Sequence, residues 1–222
     1  MKIALIPARM GSQRLPKKNL RQLAGVPLIT RAIRKCKQAG CFDAIWVNSE
    51  HPDFGNIARD EGVNFHLRPS ELGNDQATSE QYIAEFIDKV PCEYVIQVHS
   101  IAPLLTVESV RNFVLDLEEN RWDCLLSVEN IQLECVYQDR PVNFSYEAKN
   151  NSQDLTPVQK ISWSISGWRS SVFLQALKAG RCATYAGKLG YHTVNNLAGL
   201  VIKTENDLMV AEALLPLVEG SV

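Results

Sequence analysis

Short, nearly continuous apolar runs alternate along this chain with segments whose apolar residues recur at helical spacing. The runs KIALI (residues 2–6), AIWVN (44–48), YVIQV (94–98) and CLLSV (124–128) read as strands covered on both faces, because such strands have no polar side to show. Between them, PLITRAIRKCKQAG starts a helix at Pro27 and stops it at Gly40, and DFGNIARDEG (53–62) closes on Gly62. SEQYIAEFIDKV (79–90) takes Ser79 as its cap and puts Tyr82, Ile83, Phe86, Ile87 and Val90 on one face. TVESVRNFVLDLEEN (106–120) opens on Thr106, followed by Ser109.

Strand and helix in alternation imply right-handed crossovers and an α/β fold, with a mostly parallel sheet and helices on both faces. Past residue 130 the rhythm changes. CVYQDRPVNFSYEA (135–148) reads as two strands around a turn at Asp139–Pro141, a small β insert that projects as an arm at about 130–150. A polar loop (KNNSQDLTP), a strand in SWSISGW (162–168) and a helix near 170–179 follow. The end, GLVIKTENDLMVAEALLPLVE, reads as a strand, a Thr204 cap and a final helix. No repeat or low-complexity stretch breaks residues 1–222, which read as one domain.

Composition narrows the function. A net charge of −2 over 222 residues points away from nucleic acid and from a membrane surface, so any basic site is local. No apolar run reaches the roughly 20 residues that cross a bilayer, and the expected location is the cytoplasm. The six cysteines form no Cys-x-x-Cys pair, which argues against zinc and for free thiols filling core space.

The local basic site is the stretch IALIPARMGSQRLPKKN (3–19), where an apolar strand runs into Arg9, Gly11, Ser12, Arg14, Lys17 and Lys18. A glycine turn beyond a strand lets backbone N–H groups approach an anion, and the cations neutralise phosphates. In a parallel sheet ligands sit beyond the carboxyl ends of the strands, where this loop falls. The pattern is neither a Walker A loop nor Gly-x-Gly-x-x-Gly. On composition alone, a solvated basic loop is the alternative.

IPARMGSQRLPKKNL (6–20) resembles the signature of the cytidylyltransferases that make CMP-activated acidic sugars, the CMP-N-acylneuraminate synthetases and their relatives. FHLRPSELGNDQATS (65–79), VIQVHSIAPLL (95–105), NSQDLTPV (151–158) and VIKTENDLMVAEAL (201–214) extend the resemblance in patches over most of the chain. The resemblance implies a Rossmann-like nucleotide-diphospho-sugar transferase fold, CTP and an acidic sugar as partners, magnesium as cofactor, and a homodimer. It implies that Arg9, Gly11, Ser12 and Lys18 hold the triphosphate, with Asn19 alongside, and that Ala8, Arg68 and Ser79 face the nucleoside. Gln97 would reach the sugar or the reacting centre, with His99 beside it as a base or sugar ligand. For each there is a structural alternative: a turn for Arg68, a helix cap for Ser79, backbone satisfaction for Gln97, and a strand-end ring for His99. Trp163 and Trp168 stack on a sugar or fill the core.

One departure bears on chemistry. In these cytidylyltransferases two aspartates precede the Thr-x-x-Asp-Leu that opens the last helix. Aligned on Thr204, Asp207 and Leu208, Val201 and Lys203 take their places here. Valine cannot bind a metal, and an ammonium prefers a phosphate. Either Lys203 supplies part of the metal's charge and joins the catalytic set, or Asp154, Glu205 or Asp207 takes over, or the chain binds nucleotide or sugar without turnover, as a sensor or partner protein.

Overall fold

The computed structural model describes residues 1–219. Its strands are β1 (Lys2–Pro7), β2 (Gln22–Leu23), β3 (Val26–Pro27), β4 (Ala44–Ser49), β5 (Asn64–Leu67), β6 (Tyr94–Val98), β7 (Cys124–Ile131), β8 (Val136–Tyr137), β9 (Arg140–Pro141), β10 (Val158–Arg169) and β11 (Leu189–Thr193). Its α-helices are α1 (Leu28–Ala39), α2 (Asp53–Asp60), α3 (Ser79–Lys89), α4 (Val107–Glu119), α5 (Ser170–Lys178) and α6 (Glu205–Glu219).

Seven strands form one sheet in the order β11-β7-β10-β6-β1-β4-β5. β1 pairs in parallel with β4 and β6, β4 with β5, and β11 with β7. Only β10 runs the other way, antiparallel to both β6 and β7. The reversal follows from connectivity: the chain leaves β7 through the arm and returns without the helical crossover that a parallel partner requires. The register of β10 shifts between Ile161 and Ser166, and Trp163 there has a φ of 58°. At this bulge Ser162 and Ser164 meet Ser127 of β7, with hydroxyl separations of 2.8 and 3.2 Å.

The sheet is covered on both faces. On one, Ile29 and Ile33 of α1, Phe54 of α2 and Phe113 and Leu117 of α4 pack on Ala4, Ile6 and Ile96. On the other, Ile83 and Phe86 of α3 and Phe173 of α5 pack on Ile3, Leu5 and Val95. A third cluster, of Leu15, Leu23, Leu28, Leu104, Ile202, Leu208, Ala211 and Leu215, docks α6 against the loop after β1.

The four apolar runs form strands at the expected places, and α1 ends at Gly40 with the left-handed φ of 64° that a glycine tolerates. Other expectations need correction. The cap of α3 is Thr78, not Ser79: the Gln81 amide donates to Thr78 Oγ1 at 3.4 Å and the Thr78 amide to Gln81 Oε1 at 2.8 Å. A reciprocal box needs Glu or Gln three residues on, which Thr78 has and Ser79, followed by Tyr82, lacks. No strand forms at 199–203; a single bond, Ile202 N–H to the Ile101 carbonyl at 2.8 Å, replaces the ladder. The arm turns at Gln138 and Asp139, one residue earlier than expected. All six cysteines are free, but only Cys36 and Cys124 are buried, and Cys182 is exposed.

Candidate functional site

Beyond the carboxyl ends of β1, β4 and β6 the chain builds a cation-rich loop, residues 8–19, and each support of this loop is identifiable. Ala8 donates its N–H to the Asn48 carbonyl at 2.9 Å, extending the β1–β4 ladder by one rung. Met10 N–H donates to Glu50 Oε1 at 2.7 Å. Leu15 is buried in the α6 cluster and pins the middle of the loop. Asn19 is buried: its Nδ2 donates to the Arg9 carbonyl at 2.9 Å, and its Oδ1 accepts from Ser100 Oγ at 2.8 Å. Gly11 has no heavy atom within 4 Å of where a Cβ would sit, so the loop is open on that side.

Cations gather on the open side. Lys18 is half-buried, and burial, then Arg14, Arg9 and Lys203, pull its ammonium below the usual lysine range, with Asp207 opposing. Lys203 arrives by a chain of contacts. Asn19, next to Lys18, holds Ser100, and Ile101 holds Ile202, next to Lys203. Arg9 is turned outward onto Asp75, at 2.6 Å, and Gln13 Nε2 donates to the same carboxylate at 2.5 Å.

Beneath the loop lies a second polar group. Arg68 is buried; it donates to Asn48 Oδ1 at 2.7 Å, the Ala8 carbonyl at 3.1 Å and Glu50 Oε2 at 3.0 Å. Its guanidinium lies 4.8 Å from the centre of the Tyr82 ring. Burial lowers its proton affinity, and the Glu50 carboxylate opposes this. Tyr82 OH accepts from Gln97 Nε2 at 2.5 Å, and Gln97 is buried. Arg68 Nε, Asn48 Nδ2 and Ser166 Oγ are buried without a hydrogen-bond partner among the described residues. His99 donates its backbone N–H to the Ser164 carbonyl at 3.2 Å, and burial, aided by Lys18, pulls its imidazole down to about 4. At neutral pH the ring is uncharged, so its attraction for a sugar carboxylate is that of a hydrogen-bond donor only.

The structure thus brings together Ala8, Arg9, Gly11, Ser12, Lys18, Asn19 and Lys203, with Arg68, Gln97 and His99 around them. Ser79 stands exposed on the first turn of α3. Trp168 is core, its Nε1 donating to the Thr184 carbonyl at 3.0 Å. Sequence reasoning passed over Glu50, Tyr82, Ser100 and Asp75. Glu50 follows the carboxyl end of β4, the edge on which ligands sit, and that was its signal.

The acids near the site are committed elsewhere. Asp207 Oδ2 accepts from Lys203 N–H at 2.8 Å, Thr204 N–H at 2.8 Å and Thr204 Oγ1 at 2.9 Å. Burial works to raise the Asp207 carboxyl, but these donors outweigh it and hold it below the ordinary carboxylate range. Glu205 pairs with Arg21, and Glu50 with Arg68. Among the described residues no group of three or more His, Cys, Asp or Glu side chains is placed to hold a metal. Val201 packs against the core.

A mostly parallel α/β sheet with a cation-rich loop beyond its first strand is an arrangement suited to holding a nucleotide's phosphates. The profile of the cytidylyltransferase family matches residues 3–161, and the chain belongs to that family. It is 36% identical over 103 residues to an N-acylneuraminate cytidylyltransferase of Oncorhynchus mykiss, a match covering 46% of this chain and 24% of that protein. It is 40% identical over 81 residues to the N-acylneuraminate cytidylyltransferase of Escherichia coli, covering 36% and 19%. These matches span a quarter or less of the curated relatives' length. The fold is similar to that of a CMP:2-keto-3-deoxy-manno-octonic acid synthetase solved with CTP, with a TM-score of 0.72, 18% identity, and 97% and 98% of the two chains covered. A 4-diphosphocytidyl-2C-methyl-D-erythritol synthase of Anaerococcus prevotii follows at a TM-score of 0.65 and 14% identity, with 96% and 95% covered.

Proposed function

We propose that this chain transfers CMP from CTP to an acidic sugar of the sialic or related nonulosonic acid class, releasing pyrophosphate. The observation that carries the reading is the gathering of Arg9, Arg14 and Lys18 on a loop anchored by Asn19 and Glu50 at the carboxyl edge of the sheet. The N-acylneuraminate relatives support the choice of sugar class. The sugar hydroxyl attacks the α-phosphorus and the bond to pyrophosphate breaks. Arg9, Lys18 and the open amides at Gly11 and Ser12 offset the charge that builds on the leaving oxygens. Ala8 and Asn19 shape the nucleotide side. Gln97 and His99 lie on the sugar side, the neutral ring offering one N–H and one lone pair. Arg68 acts from beneath, by fixing Ala8 and Glu50.

We further read residues 1–222 as one catalytic unit acting in the cytoplasm as a homodimer. Support for a pairing surface comes from the arm, where Leu133, Val136, Tyr137, Val142 and Tyr146 are exposed. No described helix is long and apolar enough to cross a membrane.

The test is pyrophosphate release from CTP with a panel of nonulosonic acids, with and without magnesium. Release with one of them supports transfer. Tight CTP binding without release from any of them favours the second reading, a homologue that binds nucleotide or sugar as a sensor or partner protein, for which the replacement of the two aspartates by Val201 and Lys203 speaks.

A further inference from the structure

Magnesium, which the family resemblance implies, does not fit the residues present. The two positions that the resemblance makes acidic are held by Val201, packed against the core, and Lys203. Of the acids nearby, Asp207 takes three donors on its Oδ2, Glu50 holds Met10 and Arg68, Glu205 pairs with Arg21, and Asp75 with Arg9. A divalent ion placed here would meet an ammonium where it needs a carboxylate.

We propose that Lys203 is a built-in counter-charge: delivered beside Lys18 by the Asn19–Ser100 and Ile101–Ile202 bonds, it binds the CTP triphosphate in place of a protein-held metal ion. The inference rests on the reading of the chain as a CTP-binding cytidylyltransferase. Two further observations give it geometry. The segment that carries Lys203 is not a free tail: Ile202 is buried in the same cluster as Leu15 of the cationic loop, so the two cation-bearing segments share one core. And the Lys203 backbone is fixed, its N–H held by Asp207 at 2.8 Å, while the residue is exposed and close enough to lower the proton affinity of Lys18. An ammonium so placed adds its positive charge to those of Arg9 and Arg14 around Lys18, an arrangement that is unfavourable until a polyanion enters. Asp75 balances only Arg9, so the cations left around Lys18 form an anion site of high charge number, which suits a triphosphate better than a sugar carboxylate.

The experiment is calorimetric titration of CTP into the full chain, once with a chelator and once with magnesium, for the wild type and for Lys203→Ala, Lys203→Arg and Lys203→Asp. Thermal unfolding of each variant checks that it is folded. The expected result is wild-type affinity that differs less than about threefold between the two media, and a loss of about tenfold or more for Lys203→Ala with chelator. Lys203→Arg keeps binding, and Lys203→Asp binds only when magnesium is supplied. Wild-type affinity that collapses in chelator, or a Lys203→Ala variant with unchanged affinity, overturns the role of Lys203 and leaves CTP recognition standing. A folded wild type that binds CTP in neither medium overturns both.

Discussion

At the scale of single residues, Lys18 is the side chain whose environment says most. Burial and three neighbouring cations depress it, so a bound phosphate, which favours the ammonium, restores what the empty site takes away. The sign is definite. Below its folded-state pKa the charged Lys18 costs stability, and that cost is relieved as pH rises towards 10.5, while CTP affinity falls over the same rise. Calorimetry across alkaline pH should show affinity falling at a pH below that at which an ordinary lysine titrates, and Lys18→Arg should abolish the fall. Replacing Arg9 and Lys18 together by Gln should weaken CTP binding by about a hundredfold or more, and undiminished binding would remove the basis of the functional reading. Asp75 acts in the opposite sense, because it occupies Arg9 and Gln13. The pair is solvent-exposed, so Asp75→Asn should tighten CTP binding by no more than about threefold. The cationic motif was legible in sequence because its residues are contiguous. Lys203 was reached only through the family resemblance, because the contacts that tie it to the loop run from Asn19 through Ser100 and Ile101 to Ile202, far apart in the chain.

At the scale of elements, local sequence determined most of what was readable. Four buried strands announced themselves as apolar runs because both faces of the sheet are covered. β5 and β11 did not: NFHL and LGYHT mix polar residues and a glycine into edge positions where one side meets solvent. The misplaced cap of α3 has the same origin, since Thr78 and Ser79 are both good capping residues and the choice lies in Gln81. Thr78→Ala should therefore destabilise the fold by about 1 kcal/mol in urea denaturation, whereas Ser79→Ala should change it by less than about 0.5 kcal/mol. The expected strand at 199–203 failed for a different reason. Its residues are apolar because they fill the α6 cluster and the core, not because they join a ladder.

At the scale of the whole molecule, one strand running against the rest opens the sheet to an insertion. β10 returns from the arm in the reversed direction, and Leu133, Val136 and Tyr137 of the arm are exposed. Exposed apolar side chains are costly in water and become favourable when a second copy covers them. Sedimentation at micromolar concentration should give a dimer for the wild type and a monomer for the pair Leu133→Ser and Tyr137→Ser; a monomeric wild type would remove the arm's proposed role.

The four gathered cations also bear on what happens after the transfer. A bound metal ion can depart with the product it neutralises, but side chains fixed to separate segments of the chain stay behind. In a cytidylyltransferase built this way the liberated pyrophosphate faces the same undiminished positive field that drew the substrate in. On the proposal that Lys203 replaces a metal ion, its escape would be the slow event of the cycle, and sustained turnover would depend on something outside the protein to consume it.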